Sequence, residues 1–179
     1  MTPYDRTKLS RIRTSATFPF PELRPCIDYT ICEFAGELRD ALLRDERGGD
    51  VRNNGRAHSQ RAELGDAFYM LFSACIQADH EPILQTIEPM PPRRRCNLIV
   101  RLLTQAADAA ETLEQSGAME REVDTLHRTL DSAYTHMVAL CVGWYDLPVV
   151  AVVEEACNKF ERKHARVHYN PEAHGGPAL

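Results

Sequence analysis

Apolar residues recur every three or four positions along most of the chain. Between residues 26 and 45 they step by four, three, four and four, at Ile27, Ile31, Phe34, Leu38 and Leu42. This spacing puts them on one side of a helix with a single buried stripe. Similar spacing predicts further helices over 60–78, 80–88, 95–115, 120–143 and 147–167. No run alternates with a period of two for long enough to predict a strand. The pattern therefore predicts an all-α helical bundle.

Proline and glycine clusters divide the chain into parts. Because these residues interrupt helices, we predict boundaries where they gather. The parts are a Pro-rich N-terminal segment, a first helical half, a second half that packs on the first, and a flexible C-terminal tail, over residues 1–25, 26–90, 91–167 and 168–179. Within the first half, the Gly- and Asn-rich stretch 46–58 predicts a mobile loop.

The two halves have matching apolar positions. One set recurs after 71 residues: Ile27, Ile31, Leu38 and Leu42 match Leu98, Leu102, Ala109 and Leu113. A second set recurs after 66: Phe68, Cys75, Pro82 and Ile83 match Tyr134, Cys141, Pro148 and Val149. A tandem duplication would give a bundle with pseudo-twofold symmetry. Unrelated amphipathic helices can match in the same way, so both interpretations stay open.

Acidic residues lie beside the apolar stripe of the first half. Glu33, Glu37 and Asp40 share one narrow side of the predicted helix over 26–45. Glu63 and Asp66, three residues apart, share one side of the next long helix. If these helices pack together, their carboxylates can converge on a cation, and Mg²⁺ prefers such hard oxygen ligands. A solvated acidic surface is the alternative.

The segments ICEFAGELRDALL and RAELGDAFYMLF resemble the all-α nucleotide pyrophosphohydrolases, which include MazG-like proteins, dimeric dUTPases and dCTP pyrophosphatases. That family has E-x-x-E on one helix and E-x-x-D on the next, and both motifs bind Mg²⁺. The second motif is present as Glu63-Leu64-Gly65-Asp66, and Glu37 matches the second acid of the first motif. Phe34 stands where the family has the leading acid, so Glu33 or Asp40 would have to replace it.

The segment YDLPVVAVVEEACNKFERKH is similar to the last helix of that family. On this match Asn158 and Lys159 would face the nucleotide phosphates, together with Arg162, while Glu154 replaces a lysine common in the family. The resemblance thus spans residues 26–167. In the second half, Gln105 and Asp108 echo the first motif, with Glu111 after them, while the counterpart of E-x-x-D has lost its acids, as expected for a degenerate half.

The resemblance implies a Mg²⁺-dependent nucleoside triphosphate pyrophosphohydrolase that releases a nucleoside monophosphate and pyrophosphate, with Mn²⁺ as a substitute ion. The implied metal ligands are Glu37, Asp40, Glu63 and Asp66, and Glu33 or Glu37 would act as the catalytic base for an attacking water. Because of Phe34 and the degenerate second half, the alternative is a catalytically impaired nucleotide-binding or protein-interaction module of the same fold.

Charge and cysteine usage complete the prediction. The net charge of −5 does not suit a nucleic-acid surface, and no apolar run suits a signal peptide or a membrane span. The six cysteines form no C-x-x-C pair, as in reduced cytoplasmic proteins. We therefore expect a cytoplasmic protein whose partner is a nucleotide, acting as a homodimer or as a self-contained pseudo-dimer. Arg93–Arg95 is either a solvated linker or a second phosphate clamp.

Overall fold

The computed structural model of the protein describes residues 1–14, 22–36, 38, 50–53, 56–116 and 120–168. Its main elements are the helices α1 (Pro3–Thr14), α2 (Leu23–Ala35), α3 (Gln60–Gln77), α4 (Pro92–Ser116), α5 (Glu120–Gly143) and α6 (Val149–His168). A short antiparallel hairpin of β1 (Asp50–Asn53) and β2 (Arg56–Ser59) precedes α3. The predicted all-α bundle is confirmed, with this hairpin as its one addition in the described part of the chain.

Helix α3 lies at the centre of the bundle. Every residue from Glu63 to Cys75 is buried, so α3 is covered on all sides rather than along one stripe. Helices α1, α2, α5 and α6 all pack against it. A helix buried all round is typical of the core of a larger bundle. The two acids at the start of α3 therefore lie inside the protein, where charge is costly unless compensated.

The predicted helix boundaries agree closely with the structure for α3 and α5, which cover 60–77 and 120–143. Helix α2 begins three residues earlier than predicted and gives way to a turn at Gly36, whose amide donates to the Cys32 carbonyl at 2.9 Å. Leu38 is helical and fully buried, as its place in the apolar stripe predicts. The rest of the predicted helix up to residue 45 lies outside the described residues.

The prediction of a helix over 80–88 is wrong. The backbone there is irregular, and it runs along α5. The amides of Ile83 and Gln85 donate to Asp131 Oδ1 and Thr135 Oγ1, at 2.9 and 3.0 Å. Amides two residues apart in an extended chain are about 6.6 Å apart, close to the rise of about 6 Å over four helical residues. Because the two spacings are similar, side chains of α5 can accept hydrogen bonds from amides that would otherwise bond within a helix.

Helix α1 lies in the N-terminal segment, for which the sequence predicted a Pro-rich stretch and no helix. It packs against α3 and α6. The amide of Asp5 donates to the Thr2 hydroxyl at 3.1 Å, a side-chain bond at the start of α1 that stabilises the first turn. Among the described residues, no helix combines the length and apolar character needed to cross a lipid bilayer. The tandem duplication stays a prediction, and the tail beyond residue 168 lies outside the described residues.

Candidate functional site

Three acidic residues of α2 and α3 lie near one another in the bundle. The Glu33 carboxyl group is hydrogen bonded to Glu63 and lies within the electrostatic influence of Asp66. Glu63 and Asp66 are only 6% and 5% exposed, because both lie on the first turns of the buried helix α3. We call Glu33, Glu63 and Asp66 the acidic cluster. Its members come from the two helices in which the sequence predicted converging acids.

The acidic cluster changes the protonation of Glu33. Burial raises the pKa of its carboxyl group to about 8, and the hydrogen bond and negative charge of Glu63 act in the same direction. A hydrogen bond from Tyr29, one turn earlier on α2, partly opposes this rise in pKa. At neutral pH Glu33 therefore keeps its proton and donates it in the hydrogen bond to Glu63. A carboxyl group with this pKa can both hold and release a proton under physiological conditions.

Tyr29 is a member of this site that was not predicted from the sequence. The residue is 40% exposed, yet its hydroxyl group is hydrogen bonded to Glu33. Burial first, and then the charges of Glu33 and Asp66, raise the pKa of the Tyr29 hydroxyl, so Tyr29 stays a neutral donor. Its spacing of four from Glu33 on α2 is the signal that could have identified it.

Lys159 of α6 reaches the acidic cluster from the other side. Its ammonium group donates to Asp66 Oδ2 in a direct ion pair. A second ion pair between α3 and α6 lies nearby, since Arg61 Nε donates to Glu155 Oε2 at 2.7 Å. The Lys159 side chain is 45% exposed and the Asp66 side chain 7%, so the pair joins the interior to the surface. The structure thus brings Lys159 next to the E-x-x-D motif, from which it is 93 residues distant in sequence.

Gly65 allows α6 to come this close. A Cβ atom at this position would lie 3.0 Å from the Val152 carbonyl oxygen and 3.2 Å from Ala156 Cβ. Both neighbours belong to α6, so any larger residue in the middle of the motif would push that helix away. Close helix packing at a small residue therefore sets the distance between Asp66 and Lys159.

The other residues of the predicted site lie elsewhere or outside the described residues. Glu37 and Asp40 fall outside the described residues, so their part in the site stays a prediction. Phe34 is fully buried, and its backbone carbonyl accepts from the Cys96 thiol at 3.2 Å. Phe34 therefore belongs to the core, and Glu33 is the α2 acid that reaches the cluster.

Asn158 has contacts away from the acidic cluster. Its Oδ1 accepts from Arg6 Nη2 at 3.1 Å, and its Nδ2 donates to Glu154 Oε1 at 3.3 Å. Arg6 of α1 also pairs with Glu154 and Glu161, at 2.8 and 2.6 Å. Successive helical residues point about 100° apart, which separates Asn158 from its neighbour Lys159. Arg162 is exposed, and its Nε donates to the Asn158 carbonyl at 3.1 Å.

The second half has no equivalent acidic cluster among its described residues. Asp131 binds the connector before α4, residues 78–91, since it accepts from His80 Nε2 at 2.7 Å as well as from the Ile83 amide. Gln105 and Asp108 line a shallow cavity of about 530 Å³ beside Arg121 and Glu122. Within Arg93–Arg95, which begins α4, Arg95 is buried against His136 Nδ1 at 2.9 Å and the other two arginines are exposed.

The acidic cluster has the donor chemistry of a magnesium site, because all its donors are hard carboxylate oxygens. As the side chains stand, no group of three or more His, Cys, Asp or Glu residues in the described part of the chain is arranged to hold a metal ion. Two positive contributions already lie beside these carboxylates, namely the proton on Glu33 and the ammonium group of Lys159. A metal ion would have to replace the Glu33 proton, the Lys159 ammonium group or both.

No protein family, no curated protein and no solved structure matches this chain. The indications of function are therefore the chemistry of the acidic cluster and the motif resemblance.

Proposed function

We propose that this protein is a Mg²⁺-dependent nucleoside triphosphate pyrophosphohydrolase that releases a nucleoside monophosphate and pyrophosphate. The observation that carries the proposal is the meeting of Glu33, Glu63 and Asp66, from two helices, with Lys159 at their edge. A buried group of carboxylates with one lysine beside it suits a cation and an anionic phosphate chain together. The E-x-x-D motif and the preceding acidic helix resemble the family that performs this reaction.

In this proposal Glu63 and Asp66 hold Mg²⁺ or Mn²⁺, together with Glu33 or with the acids at 37 and 40. When bound, the ion neutralises phosphate charge and lowers the pKa of the attacking water. Glu33 is the candidate base. The positive charge of a bound cation would lower its pKa so that it loses its own proton, and the ionised carboxylate could then take the proton of the water. Lys159 and the exposed Arg162 then stabilise the negative charge of the phosphates.

The direct test is Mg²⁺-dependent release of pyrophosphate from a panel of nucleoside triphosphates. We expect Glu63→Gln and Asp66→Asn to reduce kcat by at least about a hundredfold while the helix content stays unchanged. Glu88→Gln is the matched control, since Glu88 is an exposed acid of the connector before α4. Wild-type turnover in either site variant would disprove the assignment.

A catalytically impaired nucleotide-binding or protein-interaction module of the same fold is the second candidate. Two observations favour it: Phe34 is buried where the family has an acid, and Asn158 is engaged by Arg6 and Glu154. Such a module would be stabilised by nucleotide with Mg²⁺ in a thermal-shift assay, yet release no pyrophosphate. Pyrophosphate release that disappears in Glu63→Gln would exclude this candidate.

A further inference from the structure

The charge balance of the acidic cluster includes a cation supplied by the chain itself. The Lys159 ammonium group contacts Asp66 Oδ2, on a carboxylate whose side chain is only 7% exposed. Asp66 in turn lies within electrostatic reach of Glu33. Lys159 therefore puts positive charge where carboxylates would otherwise repel one another.

We propose that the Lys159 ammonium group takes the place of a divalent cation in the acidic cluster and leaves it when the cation binds. The inference builds on the proposed function and adds an order of events to it. Lys159 would leave Asp66 when the cation binds and would then be available to the phosphate chain of the nucleotide.

The side chain of Lys159 can move in this way because it is nearly half exposed. Its side chain is 45% exposed, so the unbranched stem can turn toward solvent without opening the core. Asp66, in contrast, is fixed on the central helix α3 by burial. When a divalent ion competes for the carboxylate, the lysine is the partner that leaves.

On its own helix, a displaced Lys159 has one carboxylate at the spacing of a helical contact. Glu155, one turn earlier on α6, has the favourable spacing of four residues, but Arg61 already binds it at 2.7 Å. The ammonium group therefore remains available for an anion from solvent. A phosphate beside the metal ion is an anion of the required charge and position.

The test is a titration with Mn²⁺ alone, without nucleotide, in which electron paramagnetic resonance measures the free ion. The proteins are the wild type, Lys159→Met and the matched control Lys163→Met. Lys163 is an exposed lysine one turn further along α6, so its variant has the same net charge. We expect Lys159→Met to lower the Kd for Mn²⁺ by about two- to fivefold, the range of a partly exposed ion pair, and Lys163→Met to leave it unchanged.

The possible results separate the two proposals. Equal or weaker Mn²⁺ binding by Lys159→Met than by the wild type would overturn the displacement of Lys159 and leave the metal site standing. If Lys159→Met binds Mn²⁺ and the wild type does not, the displacement of Lys159 is strongly supported. If neither protein binds Mn²⁺, both the displacement and the proposed function are wrong. Lys159→Arg, which keeps the charge, should bind Mn²⁺ like the wild type, and circular dichroism of each variant checks its folding.

Discussion

The proton on Glu33 gives a prediction about stability that needs no substrate. The pKa of this group is about 8 in the folded protein and has an ordinary value of 4.5 when the chain is unfolded. Because the folded value is the higher one, the folded state binds the proton more tightly. The resulting stabilisation is complete below pH 4.5 and disappears as the pH rises through 8. Glu33→Gln removes this dependence, since glutamine resembles the protonated acid and can still donate to Glu63.

The magnitude follows from proton linkage. Between the two pKa values the folded state holds one more proton, which corresponds to about 1.4 kcal/mol of unfolding free energy per pH unit. Between pH 6 and pH 9 this linkage corresponds to about 3 kcal/mol before any allowance for solvent. Glu33 is partly exposed, and solvent screening reduces this figure, so we expect about 1 to 2 kcal/mol.

The assay is urea unfolding at pH 6 and pH 9, without divalent ions and with reductant present. Wild type and Glu33→Gln should be similarly stable at pH 6, and the variant should be the more stable protein at pH 9. Other titrating groups are common to both proteins and cancel in the difference. Glu88→Gln, an exposed control, should follow the wild type at both pH values. An identical pH dependence in wild type and Glu33→Gln would refute the burial of a shared proton in the acidic cluster.

Three further substitutions test the packing around the site, each by urea unfolding. Gly65→Ala should cost about 1 to 3 kcal/mol, because its Cβ would press on the Val152 carbonyl, and should weaken Mn²⁺ binding as α6 shifts. Arg6→Met should cost about 2 kcal/mol, because Glu154 loses its arginine and Glu161 keeps only the longer contact with Arg13. The exposed Arg13→Met should cost less than half of that. Phe34→Glu should unfold the protein rather than activate it, since the side chain is fully buried; a folded, more active variant would contradict this.

The sequence predicted that the candidate site consists of carboxylates, but it identified only some of the residues that form it. The spacing of Glu63 and Asp66 on a strongly apolar helix indicated two acids on one side, and that pair is in the acidic cluster. Among the described acids of α2, Glu33 joins them through its hydrogen bond to Glu63, and which side of α2 faces α3 could not be read from the sequence. Glu37 and Asp40 remain predictions.

The periodicity of the apolar residues predicted the helices because the side chains on one face of a helix are buried together, whichever helix packs against that face. It therefore located α3 and α5 to within a residue. It could not identify the connector before α4 as extended, since side chains of α5, distant in sequence, supply that segment's hydrogen bonds.

Only the tertiary structure decided the pairing of helices across the bundle. It brings Lys159 to Asp66 and Asn158 to Arg6, although the lysine and the asparagine are neighbours in the sequence. A helical pattern fixes the direction of a side chain about its own axis but not the helix that it faces. Long-range packing decides which helix a side chain faces, and here the close approach of α6 to Gly65 does so.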